Sequence, residues 1–172
     1  TDVHLNATGT LSINGAFSLA AGDTLFLDGA GTVAGTGAAS LVTAASGIRS
    51  PGGGSIDKAL IMGNGTPSGV NATTAFTITD LTLAGDVSLL NIGTLTIDTL
   101  RNSAAATLTE DSTGQVDIKS SIVLGGDLTL ARGANTKNNF TYATLANISA
   151  TSAGTLTVDT TSAGKFALPG LT

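Results

Sequence analysis

The sequence predicts an all-β fold, a parallel β-helix or solenoid of roughly 20-residue coils, and three observations predict it. The first is composition. The 172 residues hold 23 glycines and three prolines, and 41% are apolar while only 3% are aromatic. A core has to come from Leu, Ile, Val and Ala, which suit thin repeated layers. Of the twelve acidic residues only Glu110 is a glutamate; Asp favours turns where Glu favours helices. The second is a recurring triplet in which a polar residue separates two apolar ones, the alternation of a half-buried strand. The third is that the phase of this alternation survives the glycines between triplets.

The triplets, in order, are Leu11–Ile13, Phe17–Leu19, Leu25–Leu27, Leu81–Leu83, Val87–Leu89, Leu95–Ile97, Val116–Ile118, Ile122–Leu124, Leu128–Leu130, Leu156–Val158 and Phe166–Leu168. Three pairs of them share one pattern: LSINGAFSLA at 11–20, LTLAGDVSLL at 81–90 and IVLGGDLTLA at 122–131. Asn14-Gly15 between apolar runs normally marks a two-residue hairpin. Such a turn would put Phe17 and Leu19 on the face opposite Leu11 and Ile13. Instead, Leu11, Ile13, Phe17, Leu19, Leu25 and Leu27 keep odd parity, and Val116, Ile118, Ile122, Leu124, Leu128 and Leu130 keep even parity. A three-residue hairpin also preserves parity, but it wants its left-handed residue third, and here the glycine is second. The reading is a chain that bends at Gly15, Gly85 and Gly126 and continues.

Spacing supports a coil repeat. Gly-Asp pairs begin at 22, 85 and 126, and the GTLSI, GTLTI and GTLTV runs begin at 9, 93 and 154. Both series fit multiples of a step of about 21 residues, hence three short strands per coil. The decapeptide echo does not fit that step, which puts its copies on different faces of the coil. Residues 29–75 are rich in Gly, Ala, Ser and Asn and read as a loop-rich segment, either a lateral loop or loosened coils; 132–139 is a second soft stretch. The whole, 1–172, reads as one β-rich domain, a mature or excised piece of a longer precursor. The alternative fold is a β-sandwich, jelly-roll-like, as a filament subunit.

Net charge is −5 and the seven basic residues are scattered, so no nucleic-acid groove is expected. No apolar run reaches the ~18 residues of a membrane helix. There is no cysteine, so disulfides and thiolate metal sites are excluded. The chemistry of catalysis is sparse. His4 is the sole histidine and reads as incidental. Glu110-Asp111 is an acid pair in a loop-like run, but adjacent strand residues point apart, and hydrolysis of glycosides needs two carboxyls across a cleft. The expectation is a protein without enzymatic activity or cofactor.

Asp23, Asp86 and Asp127 each follow a glycine in a turn and are weak calcium candidates. The competing and preferred reading is that each carboxylate caps its turn by accepting backbone amides. Outward Ser12, Ser18, Thr82, Ser88, Thr96, Thr129 and Thr157 make a solvent face of high β-propensity; stacked flat they would suit ice, a lesser alternative. Sequons stand at Asn6, Asn64, Asn71, Asn139 and Asn147. Binding is assigned to loops such as 49–55 and 63–69, with Arg49, Asn64, Asn71 and Arg132 as contact residues.

The texture of GTLSINGAFSLAAGDTLFLDGAGTVAG and LTLAGDVSLLNIGTLTID resembles the passenger β-helices of bacterial autotransporters and filamentous-haemagglutinin-like exoproteins. The likeness is one of repeat style. It implies an exported, acidic, stalk-like structural or adhesive protein of a bacterial surface, partnered by host or cell-surface glycans or proteins, or by other copies of itself. A self-assembling subunit of an extracellular filament, strand-donating like a pilus, or a phage or virion fibre is the alternative.

Overall fold

The computed structural model describes residues 2–6, 8–19, 23–37, 39–41, 47–51, 53–63, 68–72, 74–89, 93–110, 115–132, 139–142, 148–158 and 165–167. Among them there is no helix, and every strand ladder is parallel. The chain is a β-solenoid with three sides per coil. Side one is an eight-stranded sheet, stacked in the order β1 (Val3–Leu5), β4 (Thr24–Leu27), β7 (Gly47–Ser50), β9 (Ser68–Ala72), β11 (Val87–Leu89), β13 (Ala106–Glu110), β15 (Leu128–Arg132) and β18 (Leu156–Val158).

Sides two and three share an eleven-stranded sheet. Its main path runs through β2 (Thr10–Ser12), β5 (Thr32–Ala34), β8 (Gly54–Met62), β10 (Phe76–Leu83), β12 (Thr94–Asn102), β14 (Gln115–Leu124), β16 (Asn139–Tyr142) and β19 (Lys165–Ala167). β3 (Phe17–Leu19), β6 (Ala39–Leu41) and β17 (Ile148–Ala150) pair along side three. β8, β10, β12 and β14 are long because they run around the corner between these two sides.

Parallel pairing rules out both the hairpin at Asn14-Gly15 and the sandwich alternative, whose neighbouring strands would be antiparallel. Ile13 N–H donates to Ala34 O at 2.8 Å and Gly15 N–H to Thr36 O at 2.9 Å, so the ladder to the next coil continues through the bend. Gly15 makes the bend with φ of 108°, which a side chain would resist. Ile13 and Phe17 both pack on the core. Gly85 and Gly126 lie at a different corner, between sides three and one, so the decapeptide echo does fall on different faces.

The coil step is 22 residues from Val3 to Leu25, shortens to 19 from Phe76 to Leu95, and widens to 28 from Leu128 to Leu156. Of the two expectations for 29–75, the structure takes the second. β5 to β9 lie there, in register with the coils on either side. Their Gly, Ala and Ser content does not prevent strands, because each finds a formed partner strand above and below. The triplet at Phe166 extends instead over Lys165–Ala167, and Leu168 lies outside the described residues.

The interior consists of columns of like side chains one coil apart. Ile56, Ile78, Ile97 and Ile118 are successive register partners, as are Leu60, Leu81, Leu100 and Ile122; all are buried. A fully buried aliphatic side chain contributes about 1.5–3 kcal/mol, and each coil adds several. Within the long strands β10 and β12 the phase of the alternation shifts at the corner between sides two and three. Ile78 and Leu81 both point inward, three residues apart, as do Ile97 and Leu100; the ladder registers shift at these points.

Between sides three and one, consecutive coils approach too closely for a side chain. A Cβ on Gly85 would sit 2.1 Å from Gly63 O, while one on Gly9 would meet nothing within 4 Å. Gly85→Ala is therefore expected to destabilise the fold by about 1–3 kcal/mol, and Gly9→Ala to stay within about 0.5 kcal/mol, both read from urea-unfolding midpoints.

Candidate functional site

The structure joins two of the four contact residues assigned from sequence. Arg49 stands in β7 and Asn71 in β9, so both occupy strands of side one rather than loops, and they are direct register partners. Phe26 is the partner of Arg49 one coil earlier, and His4 is the partner of Phe26. The result is a column, His4–Phe26–Arg49–Asn71, drawn from four coils. His4 stacks on Phe26 with ring centroids 4.3 Å apart and planes 3° from parallel. Its Nδ1 donates to Asp28 Oδ2 at 2.8 Å. Arg49 and Asn71 extend this register line by two further coils.

Arg132 closes β15 on the same side but in another column, as register partner of Glu110. Asn64 lies outside the described residues. Glu110 is not in a loop: it ends β13, fully buried, in the inward column of Ile48, Val70 and Leu89. Asp111 lies outside the described residues. Of the sequons, exposed Asn6 follows β1, Asn71 and Asn139 are in strands, and Asn64 and Asn147 lie outside the described residues.

The glycine-following aspartates cap corners. Asp86 Oδ1 accepts the Thr107 amide and Asp127 Oδ1 the Thr155 amide, each at 2.8 Å; Asp2 does the same for Thr24. In each case the amide belongs to the next coil, so the carboxylate ties two coils together. Asp23 stands at the corner just before β4. Among the described residues no three His, Cys, Asp or Glu side chains converge as a cation site would require. The seven Ser and Thr residues expected to face outward do not share one plane. Ser12 and Thr96 are on side two, Ser18 and Thr82 on side three, and Ser88, Thr129 and Thr157 on side one. Thr96 departs further, being only 9% exposed.

Two polar residues that the sequence reading passed over hold the interior together. Lys58 is an extra residue in β8 at the corner between sides two and three, where the register to β10 shifts. Its side chain turns inward and is 5% exposed. Nζ donates to Ile13 O, Gly15 O and Thr36 O at 3.0, 3.1 and 3.0 Å and lies 5.2 Å from the Phe17 ring centroid. One ammonium thus serves three carbonyls in the bends of two earlier coils. Asn102 continues the Met62–Leu83 column. Its Nδ2 donates to Ala104 O and Asp127 O, and its Oδ1 accepts the Gly125 amide at 3.0 Å. The one sequence signal for either was a polar residue at an inward phase.

No protein-family model, curated protein or solved structure matches the chain.

Lys58→Met keeps the stem and deletes the donor, taking the ammonium from the Ile13 and Gly15 carbonyls, while Thr36 O keeps the Gly15 amide. Each buried orphan costs about 1–3 kcal/mol, partly recovered by relaxation. The expected loss is about 2–4 kcal/mol, with hydrogen exchange accelerated first at the amides of Ile13 and Gly15. Asp86→Ala should cost about 1 kcal/mol, the worth of a capping hydrogen bond. Thermal unfolding of the unsubstituted chain should be unchanged between millimolar calcium and a chelator; a calcium-dependent rise in midpoint would contradict the capping role.

Proposed function

We propose that this chain is a non-enzymatic structural and adhesive module of a bacterial surface, exported and working outside the cell in the manner of autotransporter passengers and filamentous-haemagglutinin-like exoproteins. The observation that carries this reading is the unbroken parallel ladder of side one. Eight strands stacked at the usual spacing form a column about 34 Å from first strand to last. Apolar columns inside and Ser, Thr, Asn and Asp outside make such a stack a stiff spacer with a regularly ruled surface. Its stability is the sum of contacts between neighbouring coils, so it projects without needing a second domain.

Adhesion falls to residues that coil stacking lines up. The His4–Phe26–Arg49–Asn71 column is the strip best suited to it. An extended ligand lying along the axis meets one of these residues every coil, at a spacing that matches sugar and peptide repeats to within the reach of side chains. Host or cell-surface glycans and proteins are the partners proposed. The sparse charge of the exterior favours many weak hydrogen bonds over a few ion pairs.

The test is a binding survey of the purified chain on glycan and extracellular-matrix arrays, with Arg49→Ala/Asn71→Ala as comparison. Binding should weaken by about tenfold, corresponding to ~1.4 kcal/mol, while the unfolding midpoint stays within about 0.5 kcal/mol of the parent. Retained binding would remove the column from the site.

A further inference from the structure

We propose that Asn14-Gly15 is a deamidation site gated by the contacts between coils at its bend. It is protected while the coils are closed, it converts to isoaspartate when they part, and the bend then does not re-form. This stands apart from the adhesive reading, since the chemistry needs no reactant but water.

Asn followed by Gly is the pair in which this chemistry meets least resistance, because glycine has no Cβ to crowd its own nitrogen. The Gly15 nitrogen gives up its proton and attacks Asn14 Cγ. The new N–Cγ bond closes a succinimide, the Cγ–Nδ2 bond breaks, and Nδ2 leaves as ammonia. Water then opens the ring. Attack at Cγ gives aspartate; attack at the main-chain carbonyl carbon gives isoaspartate, whose main chain runs through Cβ and Cγ. One carboxamide and one water are consumed, and one carboxylate and one ammonium are formed.

The closed bend withholds both reacting groups. Gly15 N–H donates to Thr36 O at 2.9 Å, so the nucleophile keeps its proton and faces the next coil. Asn14 Oδ1 accepts the Thr36 amide at 3.4 Å, a long hydrogen bond that ties the carboxamide to the same residue. Lys58 Nζ fastens the arrangement from the interior by donating to Ile13 O, Gly15 O and Thr36 O. The first two carbonyls stand on either side of Asn14, and the third is the acceptor of the Gly15 amide. Ring closure therefore requires the coil of Asn14 to part from the coil of Thr36, a local opening.

The product decides whether the bend closes again. Aspartate keeps the main-chain spacing and keeps an oxygen for the Thr36 amide. Isoaspartate adds one main-chain atom between the two carbonyls that a single ammonium spans. The surroundings leave no slack for it. Ile13 N–H is fixed to Ala34 O at 2.8 Å. The facing backbone lies so close that a Cβ on Gly37 would sit 2.5 Å from Gly15 C and 2.7 Å from Ala16 N. Conversion of one residue thus unfastens a bend that Lys58 holds across three coils.

Asn102-Ser103 supplies the contrast. Asn102 is 4% exposed, and its carboxamide is held at both ends, by Ala104 O and Asp127 O on Nδ2 and by the Gly125 amide on Oδ1. Ser103 N–H donates to Leu83 O at 2.9 Å, and Ser103 carries the Cβ that Gly15 lacks. Conversion is expected at Asn14 and not at Asn102.

The test incubates the 172-residue chain in mildly alkaline buffer and follows it by peptide mapping with mass spectrometry. The map separates Asn14 from Asn64-Gly65, the chain's other Asn-Gly pair, which lies outside the described residues. Conversion at Asn14 is expected to be at least about a hundredfold slower in the folded chain than in denaturing guanidinium chloride. Under native conditions Lys58→Met should speed it by at least about tenfold, the effect of ~1.4 kcal/mol on the opening equilibrium. Asn14→Asp should keep the parent's unfolding midpoint. The converted chain, separated by ion exchange and identified as isoaspartate by the map, should unfold earlier and exchange the Ile13 and Gly15 amides faster. Should Lys58→Met fail to fold, denaturant below the parent's midpoint replaces it, with conversion rising in step with exchange of the Gly15 amide. Equal rates in the folded and unfolded chain overturn the proposal, as does conversion that does not respond to opening of the bend, or an isoaspartate form with the parent's midpoint.

Discussion

The structure depends on one constraint: in a parallel coil stack, every backbone segment has its counterpart in the next coil about 4.8 Å away. A bend made once must be met by a bend that fits against it. Where coils converge at a corner, a Cβ has nowhere to go. One added to Gly154 would lie 2.2 Å from Gly126 O, in the same way that Gly85 and Gly63 exclude one another's side chains. Glycine is thus what these corners require, while Leu, Ile, Val, Ser and Thr fill most strand positions. The same constraint explains the scarcity of aromatics. A column one coil thick is filled by aliphatic chains stacked on their like, and the buried ring of Phe76 has Gly54 as its register partner on one side.

Irregularities are absorbed by polar side chains rather than by loosening the stack. An extra residue at one corner of β8 would leave the bends of the first two coils with unserved carbonyls, and the ammonium of Lys58 occupies that space. Asn102 does the same between sides three and one, with its amide reading two carbonyls and one N–H. Asp86 and Asp127 work from outside, each holding an amide of the next coil. Buried polar groups are costly unless satisfied, so each of these fixes the register of its neighbours as well as adding stability.

The parts of the fold legible in the sequence were those where an apolar triplet stands clear, from Leu11–Ile13 to Leu156–Val158, and where parity carries across a glycine. Those two signals were enough for the parallel solenoid, for three strands per coil and for the different faces of the echoed decapeptides. The remainder was hidden for physical reasons. Gly54–Met62 interleaves Ile56, Leu60 and Met62 with Ser55, Asp57 and Lys58, and Ala39–Leu41 has one large apolar residue. Such segments are strands because their neighbours template them, and propensity counts for little there. Phase tracking fails at the corner after Ile78 and Ile97, and a step that varies between 19 and 28 residues blurs any fixed period. Lys58 meets Ile13 and Gly15 across 45 and 43 residues, a relation that only the coil count reveals.

The same geometry governs where function can reside. A contiguous window of sequence spreads around the coil, so its outward residues face different sides and cannot meet one ligand. Residues about one coil apart form a strip, and a site on a solenoid is read down a column. Arg49 and Asn71, chosen from separate loop-like stretches, become neighbours for this reason, and His4 and Phe26 join them although neither stood out locally. Arg132 is excluded by the same rule, since its register places it with Glu110. A surface ruled in this way changes its binding partner by substitution at single outward positions, with the inward columns and corner glycines untouched. The stack and the strip therefore vary independently, and that separation is what makes a β-solenoid a serviceable scaffold for recognition.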